Sequence, residues 1–265
     1  CALPIYLTCR PLGMHRGLNQ AVYSFLVGRC PIGVTSDHIQ QAAHFIYHIN
    51  EYRTSNEAAA LPMAADACLS WQDHLDLTES RIKRLHELLP KSSLEKEMHA
   101  FVTEQLMPAW LRLKVHLRLT VEDLRLGWQL PLAERIISPS DFGFHNTLEN
   151  QGKLYFVDFE YAGWDDPAKL ICDFICQPEL PINTSQAQQF IEALQRLFPE
   201  QKALASRVEQ LLPLHRLKWC CILLNEFRSE DLLRRVHAGL ESDGLLAAQL
   251  SKAKKYFNDH FVTHN

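Results

Sequence analysis

Residues 138–146 read Ser138-Pro139-Ser140-Asp141-Phe142-Gly143-Phe144-His145-Asn146, and after a turn at Asn150-Gln151-Gly152 the chain continues Leu154-Tyr155-Phe156-Val157-Asp158-Phe159. The first stretch, entered from Ile136-Ile137, has the composition of a loop. The second reads as a strand apolar on both faces, as in a buried sheet. Asn146 stands five positions after Asp141, and Asp158 seventeen after it. A hairpin of that length returns Asp158 to the edge that holds Asp141 and Asn146.

Such a meeting of side chains suits phosphoryl transfer. That chemistry needs a carboxylate to receive or orient the acceptor hydroxyl, and oxygen ligands to hold magnesium on the nucleotide phosphates. Kinases meet the need with an Asp, an Asn five positions on, and a second Asp after a short hairpin. Asp141 would serve the hydroxyl, and Asn146 with Asp158 the cation. An Asp and an Asn at this offset are common by chance, and Asp is a common turn former. The reading rests on the conjunction of the offset, the hairpin length, a charge ending an apolar strand, and a helix start at Asp166-Pro167. Asp141-Phe142-Gly143 also spells the tripeptide that carries the metal aspartate of protein kinases. That register requires an earlier Asp–Asn loop, and Asp123 has Trp128 five positions on.

The block from Asp141 to Asn146, with Gly152-Lys153-Leu154-Tyr155-Phe156-Val157-Asp158-Phe159-Glu160-Tyr161-Ala162-Gly163-Trp164 and Asp166-Pro167-Ala168, resembles the aminoglycoside phosphotransferase and choline kinase superfamily. Leu217 to Asn225 resembles helices of the same family. The resemblance implies an α+β, protein-kinase-like fold. Most of it would be the helical C-terminal lobe, with a short catalytic β-hairpin and a remnant of the N-terminal sheet. It implies Asp141 as catalytic base, Asn146 and Asp158 as magnesium ligands, ATP and Mg2+ as cofactors, and a small-molecule hydroxyl as acceptor. Tyr23 to Gly28 is similar to the family's segment between lobes, which sets Ser24 and Leu26 against adenine. Residues 1–28 are then lobe remnant and hinge. Residues 29–265 are the helical lobe, with a catalytic loop at 138–146 and a metal-binding strand end at 154–160.

Two departures from the family stand out. The family has His two positions before its catalytic Asp, whereas Pro139 stands here, so the loop must be supported differently. The family's glycine-rich loop and phosphate-pairing lysine belong upstream of the hinge, and only about one strand's worth of chain precedes it. The chain, which begins at Cys1, therefore reads as a fragment or as a degenerate kinase, and is expected to bind nucleotide poorly. A kinase-like binding module without catalysis is the alternative from another class. Choline, homoserine or a sugar are alternative acceptors, because acceptor choice lies outside the catalytic residues.

Further out, Leu3 to Leu7 and Ala21 to Val27 are strand-like, with a turn at Leu12-Gly13 and a stop at Gly28. Thr35-Ser36 caps a helix carrying Ile39, Ala42, Ala43, Ile46 and Ile49 on one face. Ser70 with Asp73 opens a second helix with the stripe Trp71, Leu75, Ile82, Leu85 and Leu89, ended by Pro90. Ser92 with Glu95 opens a third, which runs towards Pro108 and on to Leu119, packing antiparallel to the second. Leu214, Leu217, Cys221 and Leu224 form a later stripe.

The 265 residues, 47% hydrophobic and 22% charged, suffice for a sizeable core. A net charge of -4 gives no general attraction to nucleic acid or anionic membrane. The eight cysteines form no Cys-x-x-Cys pair and read as reduced, packed thiols of a cytoplasmic protein. Cys172 and Cys176 share a helical face without completing a zinc set. His44 and His48 have metal-ligand spacing but lack the intervening glutamate of that motif. Glu160, Asp165 and Asp166 form an acidic group that would suit a cationic acceptor, although Asp166 is equally a helix cap. Trp71, Trp110, Trp128, Trp164 and Trp219 are core residues before they are a cation cage.

Overall fold

Side-chain caps and β-turns divide the chain as the sequence suggests, with differences that trace to tertiary pairing. The computed structural model describes residues 7–18, 20–121, 129–201, 203–228 and 242–262. Its main elements in order are β1 (Pro11–His15), β2 (Gln20–Tyr23), α1 (Ser36–Asn50), α2 (Asn56–Ala59), α3 (Trp71–His86), α4 (Ser93–Phe101), α5 (Met107–Val121), β3 (Ile136–Ser138), β4 (Thr147–Asn150), β5 (Lys153–Phe156), β6 (Gly163–Asp165), α6 (Pro167–Cys176), α7 (Thr184–Leu197), α8 (Leu204–Ile222) and α9 (Ser242–Phe261). They fall into two compact units, Cys1–Ala67 with Leu130–Val208 and Cys68–Gln129 with Glu209–Asn265. The boundary passes through α8.

In the first unit β1 pairs antiparallel with β2, with a bulge between Pro11 and Gly13. Leu12-Gly13 thus lies in a strand rather than a turn, and the strand expected to reach Val27 stops at Tyr23. Both strands are exposed throughout. Of the expected strand Leu3 to Leu7, only Leu7 is described, and its carbonyl accepts from Phe156 N at 2.7 Å. Thr35 closes a capping box with His38 and starts α1, which buries Ile39, Ala42, Ala43 and Ile46 as its spacing predicts but leaves Ile49 partly exposed. At the other end the buried Asn50 amide exchanges two hydrogen bonds with Ile137 and ties β3 to α1.

β4 and β5 form the expected hairpin, turned through Gln151 (φ 52°) and Gly152 (φ 77°), where successive left-handed residues match the strand twist. β5 buries Leu154 and Phe156 but leaves Lys153 and Tyr155 more open, so it is half-buried rather than covered on both faces. One face suffices because Phe45 of α1 stacks on Phe156 with centroids 4.3 Å apart. That stack continues through Phe142, Phe174 and Phe190, the last two 4.1 Å apart. β3 pairs with β6, and the Met63 segment adds a parallel bridge to Trp164. Asp166 caps α6 through Ala168 N with Pro167 in the first turn, as its sequence predicts.

The first unit also holds α2 and α7; the second holds α3, α4, α5, most of α8 and α9. Ser70 caps α3 through Asp73 N, while the Asp73 carboxylate accepts from Leu69 N. α3 ends at His86, short of Pro90, and Leu89 is 85% exposed rather than part of the stripe. Contacts advance from His86 with His99 to Glu79 with Lys114, so α3 and the following helix run antiparallel. Helix α4 starts with the Ser92–Glu95 capping box and passes through a π turn (Val102–Leu106) into α5. Pro108 is accommodated there because the wider turn re-spaces the backbone just before it. Leu214, Leu217, Cys221 and Leu224 are all buried, and His74 meets His215 at 3.1 Å in the interior. The decoy pair Asp123 and Trp128 lies outside the described residues. Among the described residues, no helix is long and apolar enough to cross a membrane.

The seven described cysteines form no disulfide: five are buried, Cys9 is partly exposed and Cys30 is exposed. Cys30 is therefore not one of the packed thiols that composition suggested. Burial pushes the Cys221 thiol up to about 12, so it holds almost no thiolate at neutral pH. Among the described cysteines, iodoacetamide is expected to label native Cys30 first, then Cys9, and to leave Cys68, Cys172, Cys176, Cys220 and Cys221 unmodified by peptide mass spectrometry. Equal labelling in urea is the control.

Candidate active site

The loop between β3 and β4 is held by two phenylalanines that alternate with its polar residues. Phe142 and Phe144 are 3% and 0% exposed, driven into the aromatic stack. Alternation leaves Asp141 on the opposite side, its side chain 46% exposed. Ser140 precedes it in the left-handed region at φ 70°, and Asp141 N donates to Pro139 O at 3.1 Å, closing a tight turn about Ser140. The Ser140 hydroxyl donates to Ala65 O at 3.0 Å, and Ala65 N donates to Tyr161 O at 3.0 Å. The segment before α3 thus ties the Asp141 loop to the stretch after Asp158.

Asn146 braces the same loop, its Nδ2 donating to Asp141 O at 2.9 Å while its backbone nitrogen donates to Gly143 O. Its carbonyl accepts from Val157 N at 3.0 Å, which extends the β4–β5 ladder by one rung and delivers Asp158 beside it. Asp158 is left-handed at φ 65°. Non-glycine residues in that region cost on the order of 1–3 kcal/mol each, and such strain concentrates where function imposes it.

The two carboxylates sit in different fields. His145 Nε2 lies 3.2 Å from Asp141 Oδ1, and this hydrogen bond, opposed by partial burial, holds the Asp141 carboxyl below the usual aspartate range. Asp158 is pushed upward, first by desolvation and then by the charges of Glu160 and Asp141. Asp141, Asn146 and Asp158 therefore converge. No hydrogen bond or ion pair among the described residues joins Ser24 or Leu26 to them. Ser24 instead exchanges two hydrogen bonds with the Arg10 backbone, and Leu26 is partly buried.

The acidic group beyond Asp158 comes apart. Asp165 is buried against Lys169 Nζ at 2.8 Å, and Asp166 is engaged by the α6 N-terminus and Arg207, leaving Glu160 exposed. Trp71, Trp110 and Trp164 are each under 10% exposed and build core rather than a cage. Its place next to Asn146 made His145 readable as a substrate contact or equally as loop packing; its bond to Asp141 is what the sequence did not reveal.

Among the described residues no cluster of three or more His, Cys, Asp or Glu could hold a metal. The set here offers carboxylate and amide oxygens, which fits magnesium carried in with phosphates rather than a cation caged by protein alone. The upward push on Asp158 is what a nearby cation would relieve.

No family model and no curated protein matches the sequence. Solved structures do. A spectinomycin phosphotransferase in complex with ADP and spectinomycin matches with a TM-score of 0.58 and 16% identity, covering 98% of this chain and 75% of that one. A choline/ethanolamine kinase family protein from Mesorhizobium loti matches at 0.52 and 14% identity, covering 95% and 74%. Choline kinase from Cryptosporidium parvum matches at 0.53 and 11%, covering 97% and 74%. The chain has the protein-kinase-like fold shared by the aminoglycoside phosphotransferases and the choline and ethanolamine kinases.

Proposed function

We propose that this chain serves an ATP- and magnesium-dependent phosphotransferase that moves the γ-phosphoryl group to a hydroxyl of a small molecule. The observation that carries the reading is the joint bracing of Asp141 and Asn146, with the Asn146–Val157 hydrogen bond bringing Asp158 to the same place. Asp141 takes or orients the acceptor hydroxyl proton, and its depressed pKa keeps it ionised for that role at neutral pH. The Asn146 amide oxygen and the Asp158 carboxylate hold the cation. Held by these two residues, magnesium would supply positive charge to offset that developing on the nucleotide phosphates. Ser24 and Leu26 lie along the hinge that meets adenine, with residues 1–28 as lobe remnant and hinge and residues 29–265 as the helical lobe.

The spectinomycin phosphotransferase structure contains ADP, which supports a nucleotide as donor. The test is ADP release with ATP, magnesium and a panel of hydroxyl compounds that includes aminoglycosides, choline, homoserine and sugars. Release stimulated by none of them would favour a non-catalytic binding module. In calorimetry, Asp158→Asn is expected to remove most of the magnesium-dependent gain in nucleotide affinity, at least about tenfold, while affinity without magnesium changes little. An equal loss with and without the metal would deny residue 158 its role as ligand.

A further inference from the structure

His145 lies in the turn Phe144–Asn146, where the fully buried Phe144 fixes the backbone. Its imidazole folds back over Gly143. A Cβ on residue 143 would stand 2.6 Å from Nδ1 and 2.7 Å from Cε1 of that ring, so only glycine leaves room for this position. The ring is 20% exposed and presents Nε2 to Asp141 Oδ1 at 3.2 Å.

Few other groups on the loop can reach that carboxylate. Pro139 has no side-chain donor, the Ser140 hydroxyl is spent on Ala65 O, and the Ser138 hydroxyl accepts from Ser140 N. Asn146 braces the Asp141 main chain, and its side chain also supports the carboxylate, though less strongly than His145 does. The opposite ring nitrogen of His145, Nδ1, is buried without a hydrogen-bond partner among the described residues. A proton there would be a buried donor with no acceptor, which costs about 1–3 kcal/mol. The neutral ring therefore carries its proton on Nε2, where Asp141 accepts it.

We infer that His145 is the positioning residue of Asp141: seated over Gly143, it donates from Nε2 to Oδ1 and fixes the rotation of the carboxylate towards the acceptor hydroxyl. The inference rests on the proposed role of Asp141 and adds the group that sets its geometry. His145 touches neither nucleotide nor acceptor in this scheme. Its loss should therefore appear in turnover and not in nucleotide binding.

The test has two arms on the intact protein. In nitrogen-15 imidazole spectra, His145, assigned by its disappearance in His145→Gln, is expected as the Nε2–H tautomer, and Asp141→Ala should shift both of its nitrogen signals. A ring on the Nδ1–H tautomer, or signals indifferent to Asp141→Ala, would overturn the inference whether or not phosphotransfer is ever found. In kinetics, His145→Ala is expected to lower kcat on the order of ten- to a hundredfold with KM for ATP within about twofold. His145→Gln, which keeps a side-chain donor, should recover part of the loss. Gly143→Ala, which evicts the ring without touching it chemically, should reproduce the alanine phenotype. Unchanged kcat in His145→Ala, or a loss confined to KM for ATP, would also overturn it. Absence of activity in the wild type would remove the proposed function alone, leaving the spectra to decide the contact.

Discussion

Asp141→Asn is expected to lower turnover by about 10²- to 10⁴-fold, while nucleotide affinity stays within about twofold of wild type. Asparagine preserves volume and can still accept from His145 through its amide oxygen, so the loop anchored by Phe142 and Phe144 should persist. What disappears is a full negative charge able to receive a proton from the acceptor hydroxyl. Single-turnover phosphotransfer measures the first effect and calorimetry with a non-hydrolysable nucleotide the second. Turnover retained within about tenfold would remove Asp141 from the role of base. The depressed pKa also has a sign for stability. A carboxylate held below its unfolded value stabilises the fold above that value, and the contribution fades as pH falls through the folded pKa. The variant should therefore lose part of the wild-type stability at neutral pH and less of it in acid.

Lys169→Met is expected to destabilise the protein by about 3–5 kcal/mol, a large share of a typical total of about 5–15 kcal/mol. Lys169 is 2% exposed and stands 2.8 Å from Asp165 Oδ2 and 3.4 Å from Asp173 Oδ2, with both carboxylates buried. Methionine fills similar space, so the loss is electrostatic: two buried carboxylates no longer share a cation. Urea unfolding followed by far-ultraviolet circular dichroism gives the magnitude. Combining Lys169→Met with Asp173→Asn should recover part of it, because one of the charges left behind is removed. If the single variant unfolds at the wild-type denaturant midpoint, the triad contributes little. Since the Asp173 charge also opposes the ionisation of Asp141, the same triad reaches the site electrostatically.

Local chemistry was legible in the sequence and long-range pairing was not. Thr35, Ser70, Ser92 and Asp166 announce helix starts because a cap is decided within a few residues, and all four cap as read. The hairpin that brings Asp158 to Asn146 was legible for the same reason, since its length alone sets the return. The continuation past Pro108 to Leu119 was legible, but the π turn upstream that absorbs the proline was not. β5 was read as covered on both faces, yet apolar composition records only that a residue can be buried. The bridge from Met63 to Trp164 joins segments about a hundred positions apart, and no local pattern encodes it. The bond of His145 to Asp141 was not legible, because a histidine beside an asparagine has no periodicity and its seat depends on the bare Cα at residue 143.

The left-handed backbone at Ser140 bears on how this protein can be improved. A search for heat-resistant variants would find glycine or asparagine at residue 140, because either relieves the torsional cost. Glycine would also delete the hydroxyl that links the loop to Ala65, and with it the loop-to-loop tether beside Asp141. Selection for endurance and selection for rate would then pull this one codon in opposite directions.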